Sequence, residues 1–125
     1  MSRDDVHSLL ADLKEGHLLG EQNFRGLDVD AYLDERDEAL FADEWMRAYE
    51  RYAGDAALAE QEVLRNIRET AFKRTITLTG EPELAGYVSD DFGLIGCYLL
   101  QKEEQNDFVW KLFGSYRLGK LPLCS

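Results

Sequence analysis

Cysteine occurs only twice in the 125 residues, at Cys97 and Cys124. That spacing matches no metal or redox motif, and so few cysteines cannot make a disulfide scaffold. Proline also appears only twice, and the ten glycines are scattered. The chain therefore has no flexible linker, no internal repeat and no low-complexity tract. Long apolar runs are missing: residues 94–100 form the longest and fall far short of a membrane span. The opening MSRDDVHSLL is acidic by Asp4 and lacks the layout of an export signal. The cytoplasm is the expected compartment, with Cys97 a small buried residue and Cys124 a loose thiol at the tail. Positive charge is short as well, with 14 Lys and Arg against 25 Asp and Glu, a net charge of −11. A phosphate backbone or an anionic lipid surface would repel such a chain, which argues against nonspecific binding to nucleic acid or membrane.

What the chain does have is acid at helical spacing. Residues 28–54, DVDAYLDERDEALFADEWMRAYERYAG, hold nine carboxylates against three arginines, −6 of the total. Leu33, Leu40, Phe41, Trp45, Ala48, Tyr49 and Tyr52 fall on one broad stripe, as a core-facing helix requires. Asp28 stands where an N-cap belongs, and Gly54 supplies a stop. The spacing predicts one long acidic helix here.

The remaining segments read as helices too. Val6, Leu9, Leu10 and Leu13 form the stripe of a first helix that Gly16 ends. Residues 17–27 read as a turn. Asp55 is placed to cap a helix whose stripe runs through Leu58, Val63, Ile67 and Ala71. Arg65, Arg68, Lys73 and Arg74 crowd its second half, where they would lie beside the acidic helix in an antiparallel pair. Residues 75–79, TITLT, alternate as a strand does, yet Thr75 and Leu78 also continue the helical stripe, and helix is the expectation. Pro82 suits a first helical position, and Ser89 with Asp90 and Asp91 reads as the start of a separate, enclosed helix. Asn106 is placed to cap the last helix. The sequence thus predicts an all-α single domain over 1–125, a bundle of about five helices with residues 75–79 as the one candidate strand. Phe41, Trp45, Ile67, Ala71, Ile95, Leu99, Leu112 and Phe113 are the expected core.

Asp34, Glu35, Asp37, Glu38, Asp43 and Glu44 are the candidate site residues. Their simplest reading is a solvated face; their functional reading is a docking surface for a basic partner. Glu35 and Glu38, three apart, resemble half of the paired-carboxylate pattern of a metal-dependent helical phosphohydrolase. The second half is missing, since the following helix offers no matching pair. His7 and His17 lack metal-ligand spacing, Cys97 lies in an apolar run that suppresses a thiolate, and no phosphate loop or nucleophile motif occurs. No cofactor and no catalytic residue is therefore expected. Trp45, Tyr49, Tyr52, Trp110, Phe113 and Tyr116 read first as core, and as a binding hot spot where exposed.

These features favour a small acidic binding protein without catalysis. Its most concrete form is an immunity- or antitoxin-type inhibitor that docks a basic enzyme such as a nuclease, whose phosphate ligand the carboxylates imitate. The likeness to such inhibitors is one of class, in size, helicity and charge. The metal-dependent phosphohydrolase using Glu35 and Glu38 is the alternative, and a non-catalytic oligomeric adaptor is the third reading.

Overall fold

The computed structural model describes residues 3–55, 57, 60–101 and 107–122. Among these there is no strand, and seven helices follow in order: α1 (Arg3–Glu15), α2 (Glu21–Phe24), α3 (Val29–Arg36), α4 (Ala39–Glu50), α5 (Glu62–Thr79), α6 (Pro82–Leu100) and α7 (Asp107–Arg117). The all-α class is as the periodicity predicts, with two more helices than expected. One addition is the short α2, which folds from the stretch read as a turn. The other comes from the acidic segment, which is two helices and not one.

The centre of the fold is the α5–α6 hairpin, with α1 against both arms, α7 against α6, and α4 resting chiefly on α7. Hydrogen bonding settles the helical state of residues 75–79. Thr75 and Thr79 each donate their hydroxyl to the carbonyl four residues back, Ala71 at 2.9 Å and Thr75 at 2.7 Å. The buried Thr75 hydroxyl is thereby satisfied within the helix. Gly80 then closes α5 with φ at 71°, in the left-handed region, and its N–H donates to the Ile76 carbonyl.

α6 begins seven residues earlier than its sequence suggests, at Pro82, and runs unbroken through Ser89. Ser89 is no cap: its hydroxyl donates to the Arg68 carbonyl at 3.0 Å, tying α6 to α5. Leu84, Val88, Phe92, Ile95 and Tyr98 are fully buried on this helix, which is enclosed as its apolar composition implies. Gly96 lets α5 come close. An added Cβ there would stand 2.6 Å from a Leu64 methyl.

Of the expected core, Ile67, Ala71, Ile95 and Leu112 are buried, while Phe41, Trp45, Leu99 and Phe113 are half-buried against it. α5 starts at Glu62, after an extended Gln61, so Asp55 does not cap it. Leu58, Asn106 and Cys124 lie outside the described residues. Within those residues, no helix is long and apolar enough to cross a membrane.

Candidate functional site

Arg36 ends α3, one turn beyond Tyr32, on the face that Tyr32 and Leu33 turn inward. Asp91 lies on α6 in phase with Leu84, Val88 and Ile95, so its carboxylate also enters the core. The two side chains, 4 % and 0 % exposed, meet across 55 residues of sequence. The contact is bidentate: Arg36 Nη1 donates to Oδ2 at 3.0 Å and Nη2 donates to Oδ1 at 2.7 Å. Trp45 Nε1 donates to Oδ1 at 2.9 Å, and the Tyr116 hydroxyl donates to Oδ2 at 2.5 Å. Arg36 Nη1 also donates to the Tyr32 hydroxyl at 3.2 Å. The Phe41 ring centre lies 4.7 Å from the guanidinium carbon and the Tyr87 ring centre 5.3 Å, as in a cation–π enclosure. Burial is the largest single effect and would make Arg36 easier to deprotonate, but the Asp91 charge and hydrogen bond together with Tyr32 and Tyr116 outweigh it and push the pKa above its usual value. Burial and Asp91 likewise hold the Tyr116 hydroxyl protonated, well above its ordinary range.

This contact explains the break in the acidic segment. Asp37 caps α3 with its N–H directed back at the carbonyls of residues 33–35, and Glu38 is extended, at φ −68° and ψ 146°. The extended residue resets the phase of α4 relative to α3. Phe41 therefore lies over Arg36, and Leu40, expected inside, is 86 % exposed. Tyr49, also expected inside, is 47 % exposed and stacks on Trp45 with ring centres 5.6 Å apart.

The break also decides where the charge goes. Arg36 is consumed inside by Asp91, so only Arg47 and Arg51 of the three arginines remain at the surface. All nine carboxylates of residues 28–54 are exposed, which leaves a surface charge of −7 on this segment. Asp34 and Glu35 lie on α3, Asp37 and Glu38 at the junction, Asp43 and Glu44 on α4. Among the described residues none of the six makes an ion pair with Arg65, Arg68, Lys73 or Arg74. Those bases are committed elsewhere or stand apart. Lys73 pairs with Glu69 at 3.7 Å, and Arg74 Nε donates to the Leu19 carbonyl at 2.9 Å. Among the described residues, Asp37 alone of the six has a side-chain hydrogen-bond partner: the Tyr87 hydroxyl donates to its Oδ1 at 2.7 Å. That bond, with some burial, pushes the Tyr87 pKa up to about 12.

Two expectations change here. Glu35 and Glu38 are not three apart on one helix face, because the chain breaks between them. Asp91, read as helix-start electrostatics beside Asp90, is the buried counterion of Arg36. The sequence carries a trace of this: once α6 is taken from Pro82, Asp91 is the only acid on its apolar stripe. Among the described residues no group of three or more His, Cys, Asp and Glu side chains is placed to hold a metal ion. His17 is exposed, with Nδ1 3.5 Å from Asp12 and 3.8 Å from Glu15.

Beside the acidic face, α4, α5 and α6 enclose a groove of about 400 Å³, with Trp45, Met46 and Tyr49 on one side and Arg68, Asp90 and Leu94 on the other. Cys97 also borders it, half-buried, and that burial pushes its thiol pKa up, away from a reactive thiolate. Met46 is 51 % exposed at the rim. Exposed apolar and aromatic residues rimmed by carboxylates have the make-up of a protein-binding surface.

None of the curated proteins matches the chain. The family model described as Immunity protein PIM1 matches residues 8–123, nearly the whole sequence. That span takes in every helix that builds the acidic face, the buried Arg36–Asp91 contact and the groove. The chain belongs to the Immunity protein PIM1 family.

Proposed function

We propose that this immunity protein inhibits a cationic toxin, most concretely a nuclease, by docking the face formed by Asp34, Glu35, Asp37, Glu38, Asp43 and Glu44. The observation that carries the reading is the withdrawal of Arg36 into the core. It leaves nine exposed carboxylates on α3, α4 and their junctions opposed by two arginines. A nuclease must present positive charge where it grips a phosphate backbone, and a carboxylate array is complementary to that surface. Leu40, Met46 and Tyr49, exposed among those acids, supply the apolar contact that charge alone lacks. The reading needs no catalytic group and no cofactor.

The test uses the double reversal Glu35→Lys with Glu38→Lys and a cationic nuclease toxin that the unaltered protein neutralises. Association should slow by about tenfold or more at low ionic strength, and its dependence on salt should flatten, because steering acts through the summed field. Melting of the free protein should be nearly unchanged, since exposed carboxylates contribute little to stability. A lowered melting temperature with an unaltered association rate would refute the docking face.

A further inference from the structure

We propose that the groove between α4, α5 and α6 is a receptor for a lysine or arginine side chain, its stem against Trp45 and Tyr49 and its charge against Asp90. The source of that side chain is the toxin of the preceding reading, on which the inference rests. Four observations carry it. First, the aromatic wall is fixed before anything binds: Trp45 is held by its N–H bond to the buried Asp91 and stacked against Tyr49 with ring planes 21° apart. A wall that needs no ordering binds at lower entropic cost. Second, Asp90 faces this groove and, among the described residues, makes no hydrogen bond or ion pair through its carboxylate. Third, the floor is apolar, from the buried Leu64 and Leu94, which suits the methylene stem of a long basic side chain. Fourth, the groove adjoins the segment whose surface charge is −7, so a cation is the guest its surroundings attract.

Arg68 is the internal rival. Its stem crosses α6 at Gly93, where an added Cβ would lie 2.7 Å from Cδ, and so the glycine is what lets it lie flat. Arg68 comes near enough to favour the ionised form of Asp90, against the larger effects of partial burial and the Asp91 charge, without forming an ion pair. A guest cation would therefore compete with a neighbour that has not claimed the carboxylate.

The probe is N-acetyl-arginine methylamide, titrated into the full chain and followed through the side-chain N–H resonance of Trp45. The citrulline analogue, the same shape without the charge, is the control. Saturable shifts are expected with the arginine compound and not with citrulline. Asp90→Asn should weaken binding about tenfold and Tyr49→Ala about threefold. Arg68→Gln should tighten it, because a like charge leaves the site. Equal response to citrulline, or no effect of Asp90→Asn, overturns the proposal. So does an unchanged or weaker affinity in Arg68→Gln. Asp90 and Tyr49 are both exposed, and a melting curve of each variant separates loss of the site from loss of the fold. The two readings fail separately. If Glu35→Lys with Glu38→Lys slows toxin association while Asp90→Asn and Tyr49→Ala do not weaken the toxin complex, the docking face stands and the groove is refuted as its receptor. If the probe binds the groove while the double reversal leaves the toxin unaffected, the docking face falls and the cation site remains.

Discussion

At Asp91 a carboxylate with no exposed surface accepts four hydrogen bonds, two of them from Arg36. Replacing it with Ala leaves a guanidinium charged, buried and without its counterion, which costs about 3–5 kcal/mol. Among the described residues Arg36 Nε already has no hydrogen-bond partner although it is buried, so the remaining contacts have little slack to compensate. Urea unfolding of Asp91→Ala should show that loss, and Arg36→Met with Asp91→Leu should recover only part of it, because an apolar pair strands no charge but leaves the Trp45 N–H and the Tyr116 hydroxyl without their acceptor. A loss below about 1 kcal/mol in Asp91→Ala would mean that the contact is not the anchor of α3. A gentler case stands at the surface. The Tyr87 pKa is raised to about 12 by its bond to Asp37 and by partial burial, above an ordinary value of 10.0. A raised pKa means that this bond is fully present below pH 10 and is lost as the pH climbs through about 12. The tyrosinate absorbance of the folded protein should show this late ionisation, and Asp37→Asn should move it earlier.

The helices themselves were largely legible in the sequence, because each buries one stripe and stripes leave a period. Gly80 ends α5 as the residues imply, and Pro82 opens a helix as expected, though one that runs on through Ser89. What local pattern could not reach was a partner 55 residues away. Ser89, Asp90 and Asp91 have the make-up of a helix start, and nothing near them says that Asp91 answers Arg36. The break at Glu38 was hidden for the same reason, since a continuous helix also places Leu33 and Leu40 on one face. The glycines of α6 sort by a similar distinction between local and distant effects. Gly86 has nothing within 4 Å of an added Cβ, whereas Gly96 has a Leu64 methyl at 2.6 Å. Gly86→Ala should therefore stabilise by about 0.5–1 kcal/mol through helix propensity alone. Gly96→Ala should cost about 1–3 kcal/mol as α5 and α6 are pushed apart. Thermal melts of the two variants in the same buffer test the pair. Equal changes would show that α5 does not approach α6 as closely as Leu64 indicates.

Over the whole molecule a charge of −11 acts against the compact state, since like charges are brought closer together by folding. The Arg36–Asp91 contact is screened little by salt because it is buried, while the −7 surface of residues 28–54 is screened strongly. Stability and binding should therefore respond to ionic strength in opposite directions. Raising salt from about 10 mM to about 200 mM shortens the Debye length from roughly 30 Å to under 10 Å, enough to quiet repulsion between the exposed acids. The free protein should then melt at a higher temperature, and association with a basic toxin should slow. Neutralising the face with Glu35→Gln and Glu38→Gln should reproduce both effects at low salt: a small rise in melting temperature and a slower encounter. No ion pair is lost in this variant, because the bases of α5 do not reach α3 or the junction among the described residues. A fall in melting temperature at low salt would show that these carboxylates are held by attraction within the fold. Their exposure would then serve stability, and the surface would have no charge to spare for a partner.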